Sequence, residues 1–175
     1  QPEGDRFTRP SLETIEICLE NLEYPVIVKE VGQGMGPESI SALLNLPIAA
    51  LDFGAFGGTN FSKLEWLRSE GTDRVFQEPF ISVGHSPEFM LNAVNSFVNA
   101  NERRAHFPEI IISGGIKSFL DGYYFVNVST LNAVYGQASS FLHHAQGTYE
   151  KTREFVKAQV QGLAIAYQFL RPRQF

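Results

Sequence analysis

Val26-Ile27-Val28-Lys29-Glu30-Val31-Gly32 is a β-branched run with one lysine inside it and a glycine at its end. Pro25 stops any helix before it, and the nearly continuous Val/Ile pattern predicts a strand over 26–31, buried on both faces of a parallel sheet. A second strand, predicted over 48–53, runs into Gly54-Ala55-Phe56-Gly57-Gly58-Thr59-Asn60-Phe61. Between them, Gly32, Gly34 and Gly36 make a loop, and Pro37 fits the first turn of a helix through Leu44. Strand, helix and strand at this short spacing favour a parallel pair joined by a right-handed crossover. A cation and a run of backbone N–H groups then share one rim of the sheet, which makes a seat for a phosphorylated cofactor.

The same alternation continues outward. Apolar Leu12, Ile15, Leu19 and Leu22 are spaced for a helix, with Ser11 as its N-cap after Pro10. Residues 61–84 mix charged, aromatic and glycine residues without a period and read as a long loop or lid with short helical pieces. A helix over 88–101 precedes a buried strand at 109–112, which ends in Ser113-Gly114-Gly115. A helix over 120–128 leads to a short strand at 133–135, ending in Gly136-Gln137-Ala138-Ser139. Thr148 caps a last helix to about Leu170, with Phe155, Val156, Val160, Leu163, Ala164, Tyr167 and Leu170 on one face.

This order is the signature of an α/β fold. A full (β/α)8 TIM-type barrel takes about 250 residues, or roughly 31 per unit. Four units plus an insertion around 61–107 account for the 175 residues, so half a barrel fits the arithmetic. An isolated half exposes two sheet edges and an apolar face, so self-association or a missing partner half is expected. Gln1-Pro2-Glu3-Gly4-Asp5 reads as a surface turn without a methionine, the start of a fragment or a processed product.

Composition narrows the partners. Fourteen basic against nineteen acidic residues give a formal charge of −5, which argues against nucleic acid or anionic lipid. Cys18 is the only cysteine, so no intrachain disulfide is possible; it reads as a small core residue in a reducing compartment. No apolar run reaches the roughly 18 residues of a membrane span, and no signal-peptide pattern appears. The expectation is a soluble cytoplasmic chain.

Glycine-rich turns at 54–59, 113–116 and 136–139 end successive strands. Glycine is needed where backbone approaches an anion closely or takes positive φ, although it also simply closes tight loops. In (β/α)8 barrels the loops after the last two strands commonly bind phosphate through backbone N–H groups. Lys29, in mid-strand, needs either an anionic partner such as Glu30 or Asp52, or a place over a cofactor ring or near its phosphate. Thr59 offers a hydroxyl to the same cofactor or only a helix cap, and Asp52 is either an active-site carboxylate or the partner of Lys29. His143 and His144 are adjacent on a helix and do not face the same way, so chelation by both is disfavoured. His85 and His106 are isolated, and no zinc spacing, P-loop or nucleophile elbow is present. No catalytic side chain and no metal ligand is assigned.

Gln1-Pro2-Glu3-Gly4-Asp5, 25–32, Gly57-Gly58-Thr59-Asn60-Phe61 and Ile112-Ser113-Gly114-Gly115, in that order over essentially the whole chain, resemble type 2 isopentenyl-diphosphate isomerase. That resemblance implies an FMN-dependent (β/α)8 barrel that interconverts isopentenyl and dimethylallyl diphosphate. It implies reduced flavin, with NADPH to reduce it, Mg²⁺, and a homo-oligomer. It matches Lys29 and Thr59 to flavin contacts, Gly114, Gly115, Ile116 and Lys117 to the FMN phosphate loop, and Ala138 with Ser139 to the last phosphate contact. Gly54 stands where many members have a serine near the flavin. The family's substrate glutamine and Mg²⁺-binding glutamate would lie upstream of Gln1, so the resemblance covers a C-terminal half. Two other readings remain: a non-catalytic, self-associating half-barrel that binds a phosphorylated cofactor, and a different flavin barrel such as a 2-hydroxy-acid oxidase relative. The last would be expected to show a histidine and arginine at strand ends, and no good pair is present.

Overall fold

A computed structural model describes residues 8–101 and 106–173. Strands β1 (Ile27–Lys29), β2 (Ala50–Asp52), β3 (Glu109–Ser113) and β4 (Ala133–Gly136) form one sheet in sequence order, with every neighbouring pair parallel. The α/β reading holds, and parallel pairing brings the C-terminal ends of all strands to one rim. The expected turn over residues 1–5 lies outside the described residues.

The helices are α1 (Ser11–Asn21), α2 (Pro37–Leu44), α3 (Phe61–Arg68), α4 (Gly71–Gln77), α5 (Pro87–Ala100), α6 (Phe119–Val128), α7 (Ser139–Ala145) and α8 (Tyr149–Phe169), with a 3₁₀ turn at Glu78–Ser82. Their starts follow local chemistry. Pro37 and Pro87 occupy first turns, where the missing N–H costs nothing, and the Ser86 hydroxyl accepts from the Phe89 amide. Thr148 caps α8 through the Lys151 amide, as its position predicts. At α1 the cap is different: Pro10 occupies the N-cap and Ser11 is the first helical residue, without a side-chain cap.

Alternation along the strands decides the layers. Leu51, Phe53, Ile110 and Ile112 are fully buried against Ile40 and Leu44 of α2 and Met90, Leu91 and Val94 of α5. Among the described residues nothing covers the opposite sheet face, which leaves Ile27 57% and Val134 60% exposed. It holds a concavity of about 580 Å³ lined by Ile27, Ala50, Glu109, Ile111 and Val134, toward the strands' N-terminal ends and away from the rim. β1 is therefore not buried on both faces as its composition suggests. Among the described residues it has one strand neighbour, β2, and only Val28 is half-buried.

Residues 61–84 form two short helices and the 3₁₀ turn, the short helical pieces expected there, and these take up most of the segment. The last helix also turns differently from its apolar spacing. Thr152, Phe155, Gln159, Gly162, Leu163 and Ala166 face inward, while Val160 and Tyr167 are more than half exposed. The reason is steric: Phe119 of α6 sits directly on Gly162, a place no larger side chain fits. Tyr123 packs edge-on against Tyr167 at 5.0 Å, and its hydroxyl donates to the Leu170 carbonyl at 2.8 Å.

Candidate site at the strand-end rim

Lys29, Asp52 and Ser113 end or nearly end three adjacent strands, and parallel register sets Lys29 opposite Asp52. Lys29 Nζ lies 2.6 Å from Asp52 Oδ2 and donates to Ser113 Oγ at 3.3 Å. The Ser113 hydroxyl donates to Asp52 Oδ1. The Gly54 amide reaches the same pair, at 3.1 Å to Ser113 Oγ and 3.3 Å to Asp52 Oδ1. Asp52 is only 8% exposed, so its charge is held by an ammonium, a hydroxyl and an amide instead of water. The ion-pair reading of Lys29 is thus realised with Asp52, while its side chain stays 54% exposed on the bare face.

Glu30 points its carboxylate elsewhere. Its Oε2 accepts the amides of Gly32, Gln33 and Gly34 at 2.6, 2.8 and 2.8 Å, which wraps the post-β1 loop around one charge. Gln33 then donates its side-chain amide to the Val83 carbonyl at 2.9 Å, and the His85 amide donates to the Gln33 carbonyl at 2.7 Å. Asn60, which caps α3 through the Lys63 amide, also donates to the Ile81 carbonyl at 2.7 Å. The helical insertion is so tied back to the rim at its stem. Thr59 is exposed beside Gly32 and does not cap α3; its neighbour Asn60 does.

The glycine turns meet. A Cβ on Gly57 would come within 2.9 Å of the Gly115 Cα, so these turns stack backbone on backbone. Gly114 has φ +83°, and a Cβ there would collide with the Ala55 carbonyl. The Ala55 amide donates to the Ser113 carbonyl at 2.8 Å. From the third turn, Gln137 Nε2 donates to the Lys117 carbonyl at 2.8 Å.

The sequence-predicted residues sort accordingly. Lys29, Thr59, Gly114, Gly115, Ile116, Lys117, Ala138 and Ser139 all lie on these adjoining rim segments. Ile116 is buried as a whole residue, at 5% exposure, with its side chain in the core. The Lys117 amide is taken by Asp121 Oδ2 at 3.0 Å, part of the capping box that starts α6. Ala138 and Ser139 are exposed at the start of α7. Among the described residues, the amides of Gly57, Gly115, Ile116, Ala138 and Ser139 donate to no protein acceptor. Unpaired amides on adjoining turns, those of Gly57, Ala138 and Ser139 on exposed residues, are what an anion with several oxygens requires.

Ser113 and Gln137 are polar residues of this rim that sequence reading did not single out, and Glu30 entered it only as a candidate partner of Lys29. The histidine pair has a structural role: His144 stacks on Phe155 at 3.9 Å and its Nδ1 is 2.7 Å from the Ser140 carbonyl. Among the described residues no three His, Cys, Asp or Glu side chains gather to hold a metal ion. Among them, too, no helix is long and apolar enough to cross a membrane.

Comparison with known proteins gives this rim a context. Over 122 residues the chain is 39% identical to a protein of Bacillus pumilus, covering 69% of this chain and 31% of that one. Its relatives are isopentenyl-diphosphate delta-isomerases. The Bacillus licheniformis protein of that name is 41% identical over 120 residues, or 69% of this chain and 31% of its own. The Rickettsia felis protein, also so named, is 30% identical over 166 residues, which is 94% of this chain and 46% of the relative. The chain spans less than half the length of these isopentenyl-diphosphate delta-isomerases. No protein-family model matches it.

Proposed function

We propose that this chain is the flavin-holding part of an FMN-dependent, type 2 isopentenyl-diphosphate isomerase. Residues 1–175 would form the C-terminal half of a (β/α)8 barrel, with the stretch around 61–107 as an insertion on its rim. The observation that carries the reading is the stacking of the glycine turns, with unpaired amides at Gly57, Gly115, Ile116 and Ala138, beside the half-exposed ammonium of Lys29. Homology to proteins named for isoprenoid isomerisation supports the same reading.

FMN fits this donor set. Its phosphate would be held by Gly114, Gly115, Ile116 and Lys117 together with Ala138 and Ser139, and its ring by Lys29 and Thr59. When bound and reduced, with NADPH as reductant, such a flavin supplies acid–base chemistry between isopentenyl and dimethylallyl diphosphate without net redox change. The chain's own part is electrostatic. Lys29 places a positive charge where an electron-rich ring would be favoured, and Asp52 with Ser113 keeps that ammonium at the strand ends. The main-chain amides would neutralise phosphate charge without bringing in water. Mg²⁺ does not fit the described residues, which gather no carboxylate cluster, and no step is assigned to it.

The sheet face with Ile27 and Val134 exposed, and the outer edges of β1 and β4, which pair with no strand among the described residues, call for covering. The remaining barrel units would supply it, in a cytoplasmic homo-oligomer. The same observation also favours a second reading, a non-catalytic half-barrel that pairs with its own copy and holds the phosphorylated cofactor.

The test loads the protein with FMN, removes free ligand by gel filtration, and follows dimethylallyl diphosphate formation from isopentenyl diphosphate with NADPH and Mg²⁺. Retained flavin with turnover supports the isomerase; retained flavin and a doubled mass without turnover support the second reading. A protein that emerges without flavin contradicts both.

A further inference from the structure

Gln137 belongs to no ligand set considered so far, yet its carboxamide spans two of the stacked turns. Nε2 donates to the Lys117 carbonyl at 2.8 Å and to Ser140 Oγ at 2.6 Å. One side of this fork is the end of the 113–116 turn; the other is the first turn of α7, next to Ala138 and Ser139. Oε1 is buried and has no hydrogen-bond partner among the described residues. The reversed amide would set two carbonyl oxygens against each other at Lys117, so the two donations alone orient the group. A buried acceptor is left unpaired while both donors are used, which means the side chain is kept for what its nitrogen joins.

We propose that Gln137 is a positioning residue: it fixes the separation between the Gly115–Ile116 amides and the Ala138–Ser139 amides, and so tunes the rim for a phosphomonoester. The 113–116 turn is otherwise anchored on its other side, by Ala55 through the Ser113 carbonyl and by Gly57 against Gly115. On the α6 side, Asp121 holds the Lys117 amide at 3.0 Å and the Ser118 amide at 2.9 Å. Gln137 supplies the side-chain hydrogen bond from the third turn to the second. Hydrogen bonds between neighbouring backbone segments are directional, so losing this one lets the turns part without unfolding either. The inference rests on the phosphate seat proposed above.

Two measurements on the full chain separate the inference from that reading. The first is amide hydrogen exchange of the ligand-free protein at the bonded amides that flank the turns, 117–118 and 142–145, wild type against Gln137→Leu. Exchange about tenfold faster in both segments, and unchanged in α2 and α5, is expected for one or two lost hydrogen bonds. Ser140→Ala, which spares the Lys117 bond, should give a smaller effect confined to 142–145. The second is binding of FMN and of riboflavin, which lacks the phosphate. Gln137→Leu should weaken FMN about five- to tenfold and riboflavin less than twofold, a selectivity that general destabilisation would not produce. Unchanged exchange in both segments overturns the inference, as does equal weakening of the two flavins. A wild-type protein that prefers neither flavin contradicts the phosphate seat instead, and the exchange result then decides on the Gln137 clamp alone.

Discussion

Lys29 and Asp52 are Cα partners across the β1–β2 pair, and their side chains meet at 2.6 Å on the rim. The arrangement is asymmetric. Asp52 is nearly sealed from water, whereas Lys29 is half exposed. Removing the cation should therefore cost more than its own exposure suggests, because the carboxylate left behind keeps only Ser113 and the Gly54 amide. Lys29→Met is expected to lose about 1–2 kcal/mol in urea unfolding. A midpoint equal to wild type would show that Asp52 is satisfied without the ammonium.

Glycine at the stacked turns is a steric requirement that can be compared with a control in the same chain. Gly114 has φ +83° and the Ala55 carbonyl in the path of a Cβ; Gly71 has φ +60° and nothing within 4 Å. Gly114→Ala should cost about 2–4 kcal/mol, strain plus collision, and Gly71→Ala only about 1 kcal/mol. Thermal unfolding of the two variants side by side checks the order.

The capping box at α6 links helix stability to the shape of the 113–116 turn. Asp121 accepts the amides of Lys117 and Ser118, and Ser118 caps the Asp121 amide in return. Asp121→Ala should remove about 1–2 kcal/mol and speed exchange at 117–118. Slow exchange there in the variant would mean that Gln137 and the Gly57 contact already hold the turn.

Burial raises the Tyr135 phenol above its ordinary value, and the neighbouring Tyr167 adds to the shift. The folded state then holds the proton more tightly than the unfolded chain. Stability from this group is complete below the unfolded phenol pKa of about 10 and is lost as pH rises through the higher folded value. Urea midpoints should fall above pH 10 more steeply in wild type than in Tyr135→Phe. Parallel profiles would contradict it.

Local punctuation made most of the fold readable. Pro37, Pro87 and Thr148 mark helix starts through the chemistry of single residues, and the glycine turns follow strands whose apolar runs are short and unmistakable. What failed depends on neighbours. The β-branched run at 26–31 looks like an interior strand, but composition does not say whether a strand or helix lies on its outer side. The apolar stripe of α8 misled because Gly162 and Ala166 make the contact, their smallness matched to the rings of α6. Lys29 and the glycines of the rim stand out as residue types out of place in a strand or turn. Ser113 and Gln137 do not, because their bonds to Asp52 and to the Lys117 carbonyl join positions 61 and 20 residues apart.

The central claim is that unpaired main-chain amides at successive strand ends form one anion seat beside Lys29. It is tested most directly by titrating FMN into ¹⁵N-labelled protein and following amide resonances. The account predicts saturable shifts at Gly57, Gly115, Ile116, Ala138 and Ser139, largely absent with riboflavin except near Lys29 and Thr59. Shifts confined to α8 or to the concavity lined by Ile27 and Val134, or none at all, would contradict it.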